Sequence, residues 1–166
     1  MAEALLNAYS LPGLAFVVLV AGCAGTNVPQ AAETGTEPVM VRLQATTYNA
    51  GEIGQASLLP QGGKTLIRLN FSGVPPYASL PVHVYTYIYE AACARLPETP
   101  AWSLNDRVLV EGFSGQRSYS PRGPFTLSHI APVPVDQLLS GRYALALRTA
   151  PADGDQVIYC ADLREE

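Results

Sequence analysis

The feature that most constrains the fold of this chain is a series of short runs whose residues alternate between two faces. The clearest run is 82–89, where one face holds Val82, Val84, Thr86 and Ile88 and the other holds His83, Tyr85, Tyr87 and Tyr89. A period of two is typical of half-buried β-strands, because successive side chains point to opposite faces. The alternation therefore predicts strands through most of the chain.

Further runs of this kind lie between turn signals. The predicted strands are 39–49, 55–59, 64–71, 82–89, 108–110, 125–130, 143–148 and 156–160. Turn residues such as Gly62-Gly63 and Pro75-Pro76 separate them, in a chain with 14 glycines and 14 prolines. One helical turn is predicted at 136–139, with Asp136 as its N-cap. The pattern predicts an all-β fold, an antiparallel β-sandwich of about seven or eight strands.

An apolar run over residues 14–20 ends in Val20-Ala-Gly-Cys23. An apolar core followed by small residues is typical of an export signal, and it is too short for a bilayer span of about 20 residues. The small residues before the cysteine resemble the lipobox of bacterial lipoproteins. This resemblance implies a signal peptide over 1–22, a lipid on Cys23 and a membrane-anchored protein of the bacterial cell envelope. Ala24 in the next position implies the outer membrane, facing the periplasm.

One feature departs from the lipoprotein pattern. No Lys or Arg precedes the apolar run, whereas export signals usually begin with positive charge. The alternative is a buried apolar strand followed by an ordinary cysteine. Residues 23–38, which follow the apolar run and its small residues, are rich in small and polar types. This composition predicts a flexible tether before a folded domain over 39–166.

The charge of the predicted mature chain is mildly negative. Glu3 is one of 14 acidic residues, and all ten Lys and Arg follow Cys23, so residues 23–166 carry a net charge near −3. This balance gives no reason to expect nucleic-acid binding.

Two of the three cysteines, Cys93 and Cys160, remain once Cys23 is assigned to the leader motif. Two cysteines in an exported domain indicate one disulfide. The alternative is a pair of free buried thiols, which export disfavours. Because the closed loop would be long, the bridge would stabilise the fold by about 4–5 kcal/mol on the chain-entropy model.

A second resemblance begins at Tyr87. The pieces that carry it are Tyr87-Ile-Tyr-Glu-Ala-Ala-Cys93, Ala94-Arg-Leu96, Pro100-Ala-Trp-Ser-Leu-Asn-Asp106, Gly141-Arg-Tyr-Ala-Leu-Ala-Leu-Arg148 and Cys160-Ala-Asp162. Their order and the cysteine spacing, over about 75 residues, resemble small secreted bacterial domains that look like distant relatives of the copper,zinc superoxide dismutase sandwich. The resemblance implies a Greek-key sandwich of the superoxide-dismutase-like or immunoglobulin-like kind.

The histidines of that motif are replaced in this chain. Its His-x-His pair falls on Tyr87 and Tyr89, and its later histidine falls on Arg148. Imidazole suits copper and zinc, whereas a phenol ligates poorly until it ionises and a guanidinium only donates. With two histidines in the chain, His83 and His129, we expect no superoxide dismutase activity and no cofactor. A reduced copper site at those two histidines is the alternative.

The candidate binding cluster comprises Tyr85, Tyr87 and Tyr89, with Arg148 expected beside them if the resemblance holds. Phenols offer a large area with a polar tip, and a guanidinium can stack on their rings. The plainer interpretation, which we favour, is strand propensity on a half-covered sheet face. The replaced site is expected to be a hydrogen-bonded or stacked cluster, or a small anion-accepting surface.

Two functional hypotheses follow from these observations. The first is an envelope lipoprotein whose non-catalytic sandwich binds another envelope protein or a small ligand, or has a structural role. The second is a periplasmic copper-handling protein with a reduced histidine site. The missing histidines favour the first.

Overall fold

The structure is a computed structural model that describes residues 37–79, 81–104 and 123–165. Within these ranges the chain forms eight strands, one turn of α-helix and short 3-10 segments. The strands are β1 (Val39–Ala45), β2 (Gly54–Gln61), β3 (Lys64–Phe71), β4 (Val84–Tyr89), β5 (Trp102–Ser103), β6 (Phe125–Ala131), β7 (Ser140–Thr149) and β8 (Val157–Arg164), and the helix is α1 (Val135–Leu138).

The strands form one antiparallel sheet that nearly closes on itself. Its order is β5-β4-β7-β8-β1-β2-β3-β6. Residues 39–43 of β1 pair with β2, and its last two residues pair with β8, so β1 connects the two halves of the sheet. The last strand, β8, lies beside β1, on the side opposite the meander β1-β2-β3. The predicted all-β antiparallel fold with about seven or eight strands is confirmed.

The core lies between the two halves of the sheet and is built from the inward residues of every long strand. In β6 buried and exposed residues alternate without interruption, as the period of two predicted. The fully buried large side chains are Leu43, Leu58, Ile67, Leu69, Ile88, Tyr89, Leu138, Leu145, Leu147, Ile158, Tyr159 and Leu163. In β7, however, five consecutive residues are buried, which shows that both faces of this strand are covered.

Several predicted boundaries differ from the structure. The strand predicted over 39–49 ends at Ala45, because the Thr46 hydroxyl accepts the Tyr48 N–H at 3.3 Å and caps a 3-10 turn. Asp136 as N-cap was wrong: the cap is Pro134, whose extended backbone precedes α1, and Asp136 lies in the first turn. An acidic residue there still suits the positive end of the helix.

Other predictions fall outside the described residues. These are the leader 1–22 with Cys23, most of the tether, and the strand at 108–110. Among the residues that are described, no helix is long and apolar enough to cross a membrane.

Candidate functional site

The outward face of β4 carries the tyrosine strip, which we define as Tyr85, Tyr87 and Tyr89. The rings of Tyr85 and Tyr87 are nearly parallel, with centroids 6.4 Å apart and planes inclined by 8°. The Tyr87 and Tyr89 rings are 6.1 Å apart and tilted by 55°. Tyr89 is 1% exposed, whereas Tyr85 and Tyr87 are half-buried. The strip therefore offers two of its three rings to a partner.

Tyr89 is buried because another segment lies over the outward face of the sheet beside it. Ala144 and Ala146 of β7 point outward and are 0% exposed, since the chain around Cys93 covers them. The Cys93–Cys160 disulfide, with Cα atoms 5.9 Å apart, holds that segment against the sheet. The Cys93 N–H also donates to Asp162 Oδ1 at 2.7 Å. The predicted disulfide is present, and it encloses a small second apolar cluster.

Arg148 lies opposite Tyr85 in the register of β4 and β7, and its guanidinium is bonded on two sides. Nη1 donates to the Tyr89 hydroxyl at 3.1 Å. Nε donates to Asp155 Oδ1 at 2.8 Å, and Nη2 donates to the Asp155 carbonyl at 2.7 Å. Of the two cluster types expected from the sequence, this is the hydrogen-bonded one. The cation–π contact of the described residues is a different pair, Arg142 over Tyr143 at 5.6 Å.

The charges beside the strip nearly cancel. The side chains of Arg148 and Asp155, which form the ion pair, are 20% and 48% exposed. Burial lowers the pKa of Arg148, but the hydrogen bond that the guanidinium donates to Tyr89 and the Asp155 charge outweigh burial and raise the pKa, so the guanidinium stays protonated. Burial raises the pKa of Tyr87, with a smaller contribution from Asp155. A neutral phenol beside a paired guanidinium is poorly suited to bind a metal or an anion.

The two histidines face opposite sides of the sheet. His83 precedes β4 on the side of the tyrosine strip, and its buried Nδ1 has no hydrogen-bond partner within the described residues. His129 points inward from β6 and is 2% exposed. No group of three or more His, Cys, Asp or Glu side chains capable of holding a metal ion occurs in the ranges that the structure describes.

Sequence reasoning missed the role of Asp155. The segment Asp153-Gly-Asp155 lies in the turn after β7. Its glycine and Asp155 both have left-handed backbone, with φ of 89° and 49°. This conformation directs Asp155 back toward Arg148. The signal that could have pointed to the pair is an acidic turn directly after a strand that carries an outward arginine.

A cleft of about 780 Å³ lies between β5 and β6, the two strands at the ends of the sheet order. Trp102 and Ile130 contribute to its walls, and the Trp102 ring packs on Tyr143 with centroids 5.3 Å apart. The sequence did not reveal this cleft, because a two-residue strand such as β5 has no detectable period.

Comparison of the chain with protein-family models, with curated proteins and with solved structures finds no match. The resemblances to lipoproteins and to relatives of superoxide dismutase therefore stay predictions.

Proposed function

We propose that this chain is a lipid-anchored lipoprotein of the bacterial envelope whose β-sandwich domain binds another envelope component, without catalysis, through Tyr85 and Tyr87. The observation that carries the proposal is the pair of nearly parallel, half-exposed rings on the outer face of β4. Aromatic rings of this kind supply a large contact area together with a polar tip.

The rings are held in place before any partner arrives. β4 pairs with β7 through six residue pairs, so the backbone under the rings is fixed. Arg148 connects Tyr89 to the turn at Asp155, and the disulfide holds the covering segment. Because little side-chain and loop freedom remains to be lost on binding, a rigid aromatic surface favours affinity.

The charge balance favours a neutral partner surface. The Arg148 guanidinium is paired with Asp155, and the phenol of Tyr87 is harder to ionise than an exposed one. Recognition would then depend on ring contact area and on hydrogen bonds with the phenolic hydroxyls. The same balance supports a binding role over acid–base or metal chemistry at the strip.

We further propose that Tyr87, Tyr89 and Arg148 occupy the position of the metal-binding histidines in the domains that the sequence resembles. The bond between Tyr89 and Arg148, which are 59 residues apart, supports this proposal. The polar cross-link would then take over the role of holding the two strands together.

The anchor is tested by mass spectrometry of the full chain purified from bacterial membranes. We expect an N-terminal Cys23 that carries a thioether-linked diacylglycerol, and a Cys23→Ser variant that leaves the membrane fraction. When the membranes are separated by density sedimentation, we expect the native form in the outer-membrane fraction. An unmodified Cys23 in the purified protein would remove the anchor.

The binding surface is tested by placing a photo-crosslinking phenylalanine analogue at single positions of the full chain in living cells. Crosslinked products are expected from Tyr85 and Tyr87 but not from Met40, which is 49% exposed on β1. Equal products from all three positions, or from none, would contradict the proposed surface.

Titration of the untagged domain with copper or zinc distinguishes this proposal from the copper-handling hypothesis. Stoichiometric metal binding at micromolar affinity that is lost in Tyr87→Phe would replace the proposal.

A further inference from the structure

One end of the nearly closed sheet is built from three segments that connect strands, and we call it the acidic end. The segments are 46–53, 72–79 and 150–156, which follow β1, β3 and β7. Antiparallel pairing brings the three to the same end of the sheet. The Ser79 N–H donates to Asp153 Oδ1 at 3.0 Å and ties the second segment to the third.

The acidic end exposes several large side chains, of which Tyr48 and Tyr77 lie near each other. Ile53 is 70% exposed, Tyr77 50% and Tyr48 49%. Tyr48, Glu52 and Pro76 line a depression of about 230 Å³, so the first and second segments share one surface. Exposed apolar residues that stand singly need no explanation, but a group with a polar rim indicates an interaction site.

The segments that carry these residues are fixed by polar contacts that are partly buried. The Ser72 N–H donates to the Ile53 carbonyl at 2.8 Å, and the Ser72 hydroxyl donates to Glu52 Oε2 at 2.6 Å. Beneath them the Tyr159 hydroxyl contacts the carbonyls of both Ile53 and Ser72. The exposed side chains thus project from a backbone that binding does not have to order.

The net charge of this end is negative, although Arg148 of β7 and Arg42 of β1 lie beside the segments. The three segments contain Glu52, Asp153 and Asp155 and no Lys or Arg. Among the described residues, the ion pair at this end is the one between Arg148 and Asp155, so Glu52 and Asp153 stay uncompensated. Burial raises the pKa of Tyr77 most and Asp153 adds to the increase, which places negative charge next to an exposed ring.

The acidic end also faces away from the point where the chain enters the domain. β1 begins at Val39 and runs for seven residues to Ala45, beside segment 46–53. At about 3.3 Å per residue, the two ends of β1 lie roughly 20 Å apart. The acidic end is accordingly the part of the domain that a chain held at its N-terminus would present to a partner.

We infer that the acidic end docks a basic polypeptide segment of a partner protein, in which a Lys or Arg stands next to an apolar side chain. The apolar side chain would cover Tyr48 and Tyr77, and the cation would approach Glu52 and Asp153. Charge complementarity selects this occupant, because a second copy of the chain would bring like charges together. The inference does not depend on the tyrosine strip.

The test uses the full chain and fluorescence anisotropy with two labelled peptides, one of repeated Lys-Leu-Arg and one of repeated Glu-Leu-Glu. The basic peptide is expected to bind and the acidic one is not. Tyr48→Ser and Tyr77→Ser should each weaken binding about fivefold or more. Raising the salt concentration should weaken it as well, because the charges are exposed.

Two controls separate this surface from others. Ile130→Ser removes a side chain that is 53% exposed on β6 and should leave binding unchanged. Ile130 pairs with Leu66, toward the end of β3 opposite the acidic end. Tyr85→Ser should also leave it unchanged, so that failure of this inference is distinct from failure of the tyrosine strip. No binding of the basic peptide at about 1 mM, equal binding of the acidic peptide, or equal weakening by Ile130→Ser would overturn the inference.

Discussion

Tyr159→Phe removes one hydroxyl from the centre of the fold and leaves the ring in place. The ring is 0% exposed and packs against Phe71 with centroids 5.6 Å apart. Its hydroxyl contacts the Ser72 carbonyl and lies 3.2 Å from the Ile53 carbonyl. Loss of this donor should cost about 1–2 kcal/mol in the free energy of unfolding at neutral pH, because a part-buried carbonyl is left without it.

The same hydroxyl makes stability depend on pH in the alkaline range. Burial raises the pKa of Tyr159 from 10.0 to about 12 in the folded protein. The unfolded chain therefore loses this proton first, and the stability contributed by the neutral phenol is fully present below pH 10. It is lost as pH rises through 12, and by about pH 11.5 the loss amounts to about 2 kcal/mol. The phenylalanine variant has no such loss.

The assay is urea unfolding of the oxidised domain, followed by circular dichroism, from about pH 8 to about pH 11.5. The difference in unfolding free energy between the native chain and Tyr159→Phe should shrink from about 1–2 kcal/mol to zero or below. Tyr48→Phe, at a residue that is 49% exposed, is the matched control and should run parallel to the native chain. A difference for Tyr159→Phe that stays constant across this range would refute the reasoning.

Three further variants test other parts of the fold by the same unfolding assay. The double variant Cys93→Ala, Cys160→Ala should lose about 4 kcal/mol on the chain-entropy model, since the bridge spans 67 residues; an equal loss in the reduced native chain is the control. Gly54→Ala should cost about 1–3 kcal/mol, because an added Cβ would approach a buried neighbour to 3.0 Å; no loss would show that the core can yield there. Thr65→Val keeps the shape but removes the 2.7 Å bond to the Val133 carbonyl, and should cost about 1–2 kcal/mol, whereas a neutral effect would show that water replaces it.

Local pattern was sufficient for the long strands. The prediction for 64–71 matches β3 residue for residue, because its alternation is uninterrupted and a Gly-Gly turn precedes it. The pattern was insufficient where a single side chain determines the local backbone conformation and where a strand is very short. Thr46 turned the end of the first predicted strand into a 3-10 turn through its own hydroxyl, and β5 is too short to show a period.

The candidate site was predictable only in part. The alternation in 82–89 placed three tyrosines on one outer face, and the cysteine count indicated the bridge that the structure contains. The same alternation treats Tyr85 and Tyr89 as equivalent, yet Tyr89 is buried and Tyr85 is not. The acidic turn after the strand that carries Arg148 is a local signal for the pair, but it does not specify the left-handed backbone that brings Asp155 to the guanidinium.

The sequence by itself determined which residues form strands and which face of each strand turns inward, because both follow from the period of two between neighbours along the chain. Tertiary structure alone decided what covers each outward face. Tyr89 is buried because a segment held by a bridge across 67 residues lies over it, and Arg148 is paired because the turn after β7 returns Asp155 to its guanidinium. Such contacts depend on strand order and on the path of connecting segments, which a local pattern of polarity does not encode.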